Sequence, residues 1–219
     1  MKSRKGFSIP SVIYIDDDLI VVDKAAGEVV HPAPGNETGA LCDRIAKRYP
    51  EIAAVGSRER PGVVHRLDKD TSGVVVFART QRAYRALRKM FESHRGITKT
   101  YLAVCHGIPR NCKGTIDDPI ESRPAVSHYR VLGSRHGVSL IEFNIETGRM
   151  HQIRLHAKSL GCPILGDPLH GSRERDSHLR IKPRRMLLHG VRLAFLHPFT
   201  GRPVEFTSPP PLDLVHAVD

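Results

Sequence analysis

His65-Arg66-Leu67-Asp68-Lys69-Asp70-Thr71-Ser72-Gly73 leads directly into Val74-Val75-Val76-Phe77. A polar loop running into an apolar, β-branched and aromatic stretch reads as a turn followed by a strand. The next segment opens at Thr80 and places Ala83, Leu87, Met90 and Phe91 on one stripe at helical spacing, with Gly96 set to end the helix. Its opposite face carries Arg82, Arg85, Arg88 and Lys89, a solvated face or one that meets a polyanion.

Outward from this strand and helix, residues 12–15 and 19–22 are β-branched runs split by Asp16, Asp17 and Asp18, the pattern of strand, turn and strand. Thr38 reads as an N-cap for a short helix with Leu41, Ile45 and Tyr49 on one face, stopping at Pro50, and a flexible, charged connector follows through Arg60. Further strands are expected at 99–105, 127–132 and 138–145. Met150, Ile153, Ala157 and Leu160 make the stripe of another helix, closed by Gly161, whose other face holds His151, Arg154 and Lys158. Val191, Leu193 and Phe195 alternate with Arg192 and Ala194, a turn follows at 197–201, and 203–206 reads as a closing strand before the Pro209-Pro210-Pro211 run. Strands and helices without a regular βαβ rhythm predict an α+β fold with a large mixed, mostly antiparallel sheet flanked by helices. One domain is expected over 12–210, between a basic N-terminal tail, 1–11, and a C-terminal tail, 211–219.

Composition narrows the partners. The 219 residues include 34 Lys plus Arg against 23 Asp plus Glu, a net charge of +11, which suits a polyanion: nucleic acid or an acidic membrane surface. With 40% hydrophobic and 26% charged residues, and no apolar run of the roughly 20 residues that span a bilayer, a disordered basic tail or a membrane protein is not expected. Lys2, Arg4 and Lys5 precede no apolar run of the kind a signal peptide needs. Cys42, Cys105, Cys112 and Cys162 are scattered without a Cys-x-x-Cys pair, which reads as reduced thiols in a cytoplasmic protein. Neither a Gly-x-Gly-x-x-Gly turn nor a Gly-x-x-x-x-Gly-Lys-Ser/Thr loop is present, so no nucleotide cofactor is expected.

The loop at 65–73 admits several chemistries. As a calcium loop, Asp68, Asp70, Ser72 and Gly73 match positions one, three, five and six, but Arg79 stands at position twelve, where a bidentate Glu is needed. His151 and His156 lack the Glu and the interval of a His-Glu-x-x-His zinc site. A polar turn whose Asp and Ser side chains cap backbone groups is the plain alternative.

Other blocks accompany the loop in one order along the chain: Val21-Val22-Asp23-Lys24, Val29-Val30-His31-Pro32, Lys99-Thr100-Tyr101-Leu102-Ala103, Gly148-Arg149-Met150-His151-Gln152-Ile153-Arg154, Gly166-Asp167, Leu188-His189 and His197-Pro198. Together with His65-Arg66-Leu67-Asp68 they resemble the RluA-type family of RNA pseudouridine synthases, over essentially the whole chain from about Val12 to Pro210. Ala25, Met150 and His170 depart from the family pattern, where Pro, Thr or Ser, and Tyr are common; none removes a reacting group. Because the resemblance starts near Val12, the small RNA-binding module that many relatives carry upstream is not expected. Target selection is therefore expected from the domain itself or from loops at 51–60 and 171–185.

The resemblance implies a central active-site cleft and an isomerase that cleaves the bond from ribose C1′ to uracil N1, turns the base and rejoins C1′ to C5. It implies no cofactor and no metal, RNA (ribosomal or transfer) as the partner, and a monomer in the cytoplasm. Asp68 matches the family's catalytic Asp, placed to meet positive character at C1′; attack on C1′ and removal of a C2′ proton both stay open. Arg154 matches the ion-pair partner that keeps that carboxylate ionised, and Tyr101 the ring against the loose uracil. Arg66 matches a residue that fills the gap left when the uridine is flipped out. Lys24, His31 and His151 are candidate pocket or phosphate contacts, and His65 orders the loop. Two rivals remain: a glycoside hydrolase, which needs a second carboxylate such as Asp70 in the same pocket, and a non-catalytic RNA-binding or ribosome-assembly protein on the same fold.

Overall fold

The computed structural model describes residues 10–179 and 182–217. Most of the expected basic tail, 1–9, lies outside them, while Ser11 already belongs to the first strand.

The chain opens with β1 (Ser11–Ile15) and β2 (Leu19–Lys24), antiparallel across the acidic turn. Asp16 makes that turn: its carboxylate accepts from the Asp18 and Leu19 backbone N–H groups at 2.8 and 2.7 Å. Helix α1 (Leu41–Arg48) starts at Ala40 and takes no cap from Thr38. The N–H groups of Leu41 and Cys42 instead reach back to the carbonyls of Val29 and Val30, both at 2.9 Å, so two of the first-turn donors are satisfied by backbone. The stretch expected as a flexible connector is ordered: a 3₁₀ turn (Pro50–Ala54) buries Ile52, and β3 (Gly56–Ser57) pairs with β4 (Arg60–Pro61).

Strand β5 (Ser72–Ala78) is buried throughout and leads into α2 (Gln81–Ser93), capped by the Thr80 hydroxyl, which accepts from Ala83 N–H at 3.2 Å. This helix ends at His94, in the left-handed region with φ 57°, two residues before the expected Gly96. On its basic face, Arg82 is already engaged: it clasps the buried Asp18 carboxylate through two 3.0 Å bonds. Then come β6 (Ile97–His106), β7 (Lys113–Ile116), β8 (Ser127–Arg135) and β9 (Val138–Ile145). Helix α3 (Gln152–Ser159) begins two residues later than the apolar stripe predicts, because His151 is left-handed at φ 56°, and Met150 lies outside it, 62% exposed. The order closes with α4 (Arg173–Ser177), β10 (Leu188–Leu196), β11 (Pro203–Thr207) and α5 (Leu212–Val215). The expected C-terminal tail therefore holds a helix whose Leu214 is fully buried and whose Asp213 pairs with Arg185 at 2.7 Å.

Among the described residues nine strands form one sheet in the order β1-β2-β5-β10-β6-β9-β8-β7, with β11 also on β10. Helices flank it, and the α+β arrangement is the one the residue pattern predicts. Every pairing in it is antiparallel except β5 with β10, which meet in parallel only at Ser72–His189 and Gly73–Gly190. Beyond those two pairs β10 turns to β11, so the sheet opens at this point. Strands β2 and β5 are covered on both faces: Leu19, Val21, Val74 and Val76 pack with Ala83, Leu87 and Phe91 of α2, while Ile20, Val22, Val75 and Phe77 pack with Leu41 and Ile45 of α1. On the other half, Ala103, Ile141 and Phe143 pack against Ile153 and Ala157 of α3. The Tyr101 ring touches both this cluster and the one under α1, which puts it at the seam between the halves.

Candidate active site

The loop between β4 and β5 is held from several sides. Val76 N–H donates to Nε2 of His65 at 2.9 Å, and the His65 ring stacks on Phe91 with centroids 4.3 Å apart. Burial pushes the His65 imidazole down to about 3, with Lys99 adding to it, so the ring is neutral and orders the loop. Lys24, fully buried, donates to the carbonyls of Ala25, Glu28 and Lys69 at 2.8, 2.7 and 3.0 Å. Gly27 N–H reaches the same Lys69 carbonyl at 2.8 Å, and Thr71 N–H closes the turn on the Asp68 carbonyl at 3.1 Å.

Within this frame the Asp68 side chain points into a cavity of about 320 Å³ lined also by Arg66, Tyr101, Arg149, His151 and Arg154, within the size range of small-ligand sites. Asp68 is the sole carboxylate among the described residues lining it, and Asp70 is not part of it. Arg154, on α3, is buried and donates Nη1–H to Asp68 Oδ2 at 3.1 Å. His151 Nε2 lies 3.9 Å from the same oxygen.

Tyr101 forms another wall. It falls opposite the irregularity in β10, where the register with β6 slips between His189 and Arg192. At Gly190 an added Cβ would sit 3.4 Å from the Tyr101 ring, an ordinary contact distance, so the ring packs directly over this stretch of β10. Burial, and then the Asp68 carboxylate, push the Tyr101 phenol well above its ordinary value, so it is an un-ionised hydroxyl at neutral pH.

Residues 18–159 match the sequence profile of the family described as RNA pseudouridylate synthase. The chain belongs to that family. An uncharacterized RNA pseudouridine synthase of Chloroflexus aurantiacus is 45% identical over 206 residues, covering 88% of this chain and 63% of that protein. The ribosomal large subunit pseudouridine synthase D of Xanthomonas campestris pv. campestris is 42% identical over 226 residues, covering 93% and 67%. Among solved structures, human RNA pseudouridylate synthase domain containing 1 superposes with a TM-score of 0.73 at 26% identity, covering 94% of this chain and 86% of that one. The chain thus has the fold of the pseudouridine synthases, isomerases that act on RNA.

In this synthase the structure brings Asp68, Tyr101, Arg154, Arg66 and His151 to one cavity. It does not bring Lys24 there. Expected as an RNA contact, Lys24 is instead internal, its three N–H donors spent on backbone carbonyls. His31, also expected at RNA, is buried: its Nδ1–H donates to the Pro32 carbonyl at 2.9 Å, and its Nε2 accepts from Arg66 Nη1 at 3.3 Å. It steadies the arginine without reaching the surface itself. His156 bonds Ser127 Oγ and the Asp118 carbonyl at 2.9 and 3.0 Å and does not line the cavity.

The roles of two residues named in the sequence were not foreseen from it. Asp167 takes the two-point grip of Arg154, from Nε and Nη2 at 2.8 Å each, and it also accepts from the Leu169 and His170 N–H groups at 2.9 and 3.0 Å. Burial would raise this carboxyl, but Arg154 and those N–H groups hold it below the ordinary carboxylate range. His170, carried by the same turn, hydrogen-bonds His151. The Gly166-Asp167 block was visible in the sequence; that its carboxylate competes with Asp68 for one guanidinium was not.

Proposed function

We propose that this protein converts uridine to pseudouridine in large-subunit ribosomal RNA, with Asp68, Tyr101 and Arg154 as the groups at the reacting nucleoside. The observation that carries this reading is one carboxylate, Asp68, held by Arg154 in a cavity whose wall is the Tyr101 ring. As the C1′–N1 bond breaks, positive character grows on the sugar, and an ionised carboxylate fixed in a partly dry pocket favours that charge separation. The freed uracil, with the electron pair of the broken bond on N1, stays between Tyr101 and the pocket wall, turns, and bonds C1′ through C5. The C5 proton is then lost to solvent and N1 takes one up, so the reaction balances as an isomerisation. Because the phenol is un-ionised, Tyr101 serves as ring surface and hydroxyl donor before it serves as a base. Arg66, exposed at the rim and steadied by His31, is placed to fill the gap left by the flipped nucleotide.

A glycoside hydrolase would need a second carboxylate, roughly 5–10 Å away across the sugar, and Asp70 does not line the cavity. A non-catalytic RNA-binding protein would have no need of an aligned Asp68, Tyr101 and Arg154. The ribosomal target is supported by the Xanthomonas relative, named as acting on the large subunit. A monomer working in the cytoplasm is part of the proposal, checked by sedimentation and by cell fractionation. Asp68→Asn should abolish tritium release from RNA carrying 5-tritiated uridine while RNA binding stays within a few fold. Substantial turnover by that variant sinks the assignment. Mapping pseudouridine in total RNA with and without the protein tests the target.

A further inference from the structure

His151 and His170 form a pair that the reaction as described leaves unused. Nδ1 of His151 and Nε2 of His170 are 2.9 Å apart, with the rings edge to face at 67°. The other nitrogen of His151, Nε2, lies 3.9 Å from Asp68 Oδ2, and the ring lines the cavity. The backbone has been bent to allow this: His151 takes φ 56° and ψ 21° immediately before α3, a left-handed conformation unusual for a residue with a side chain. His170 is fixed in turn by its own N–H, which donates to Asp167, the carboxylate that also clamps Arg154.

We propose that His170 is a positioning residue: it donates its Nε2–H to Nδ1 of His151 and so locks His151 in the tautomer that presents Nε2–H to Asp68 and to the flipped nucleoside. The role assigned to His170 rests on the reading of the cavity as a uridine pocket. The direction of the bond follows from proton counting. Each neutral imidazole carries one N–H, and the contact needs one donor and one acceptor. Were His151 the donor, its bare Nε2 lone pair would face the Asp68 carboxylate, two electron-rich groups set against each other. With His170 as donor, the His151 proton sits on Nε2, between the ring and that carboxylate. Asp68, Arg154, Asp167 and Arg66 act electrostatically on His151; Arg154, Asp167, Lys158 and His151 act on His170. For both rings burial, aided by the neighbouring cations, outweighs the carboxylates and keeps the imidazoles below their ordinary value. Both are therefore neutral at pH 7, as a one-donor, one-acceptor pair requires.

The Nε2–H of His151 then meets a ribose hydroxyl or a uracil carbonyl oxygen of the bound nucleotide, orienting it against Asp68. The test compares wild type with His170→Phe, His170→Tyr and His170→Gln. Tyr and Gln can donate to Nδ1 of His151; Phe cannot. Single-turnover tritium release from RNA carrying 5-tritiated uridine, with RNA affinity measured separately, should show His170→Phe slowed about tenfold at unchanged affinity, with His170→Tyr and His170→Gln within about threefold of wild type. Two-bond ¹H–¹⁵N spectra near neutral pH should place the wild-type His151 proton on Nε2 and show a tautomer mixture in His170→Phe. Wild-type rates for His170→Phe, equal losses in all three variants, or a wild-type His151 proton on Nδ1 would each overturn the proposal. A wild-type protein that releases no tritium counts against the uridine pocket instead, while the spectra still decide the tautomer.

Discussion

Arg154 divides one guanidinium between two carboxylates, two bonds to Asp167 and one to Asp68. With side chains 6% and 1% exposed, the Arg154–Asp167 pair is desolvated on both sides. Breaking it from one side strands a buried charge, so Arg154→Ala should lose about 3–5 kcal/mol of stability. Arg154→Met with Asp167→Asn, which removes both charges, should recover most of that loss in chemical denaturation. The pH dependence carries a definite sign. Because the folded state depresses the Asp167 carboxyl, its stabilisation is present above an ordinary aspartate's pKa of about 3.9, and it is lost as pH falls through the lower folded value. The double variant should lack that component of acid unfolding, and an identical acid limb in both proteins would remove Asp167 from this role. At the rim, His31→Ala should act as a milder Arg66→Ala, slowing turnover of structured RNA more than of a flexible strand, because unstacking costs least in single strands. Equal losses on the two substrates would mean that His31 serves the fold.

Among the elements, the meeting of β5 and β10 controls the site. Gly73 ends the motif loop and begins the strand at φ 122°, and a Cβ there would lie 2.2 Å from the Gly190 carbonyl oxygen. That close approach lets His189 and Ser72 pair beside it: Nε2–H of His189 donates to the Ser208 carbonyl at 3.0 Å, leaving Nδ1 to accept from the Ser72 hydroxyl at 2.9 Å. Gly73→Ala must therefore part the two strands, and a loss of about 3 kcal/mol or more is expected. Gly190→Ala meets the Tyr101 ring at ordinary contact distance and should stay within about 1 kcal/mol of wild type. Thermal melts of the two variants check the contrast, and equal melting would show that the junction yields. Elements with a strong pattern were legible in the sequence: the apolar run at 74–77, the alternation at 138–145 and the helix opening at Thr80. The start of α1 was not, because Leu41 and Cys42 donate to the carbonyls of Val29 and Val30, backbone partners that no residue pattern announces.

Over the whole molecule, the excess of 34 basic over 23 acidic residues should make RNA binding fall steeply with salt, with a log–log slope near −0.7 for each phosphate neutralised on a single strand. A flat response in a salt titration would exclude a surface that follows the RNA backbone. Charge of this kind, the α+β rhythm, and the order of the blocks around Asp68, Tyr101 and Arg154 are properties of the chain itself, since periodicity, composition and motif spacing need no third dimension. The partners of the buried groups are another matter. Lys24 and His31 carry polar side chains of the kind usually found at a surface, yet Lys24 closes on Lys69 and His31 on Arg66. Arg154 reaches back across the fold to Asp68 and locally to Asp167, and His151 finds His170. These choices were made by sheet register, the two-pair parallel contact of β5 with β10, and the left-handed turn at His151, which bring together groups that sequence distance keeps apart. A donor commits to whichever acceptor the packed backbone sets within about 3 Å, and that distance exists only once the chain has folded.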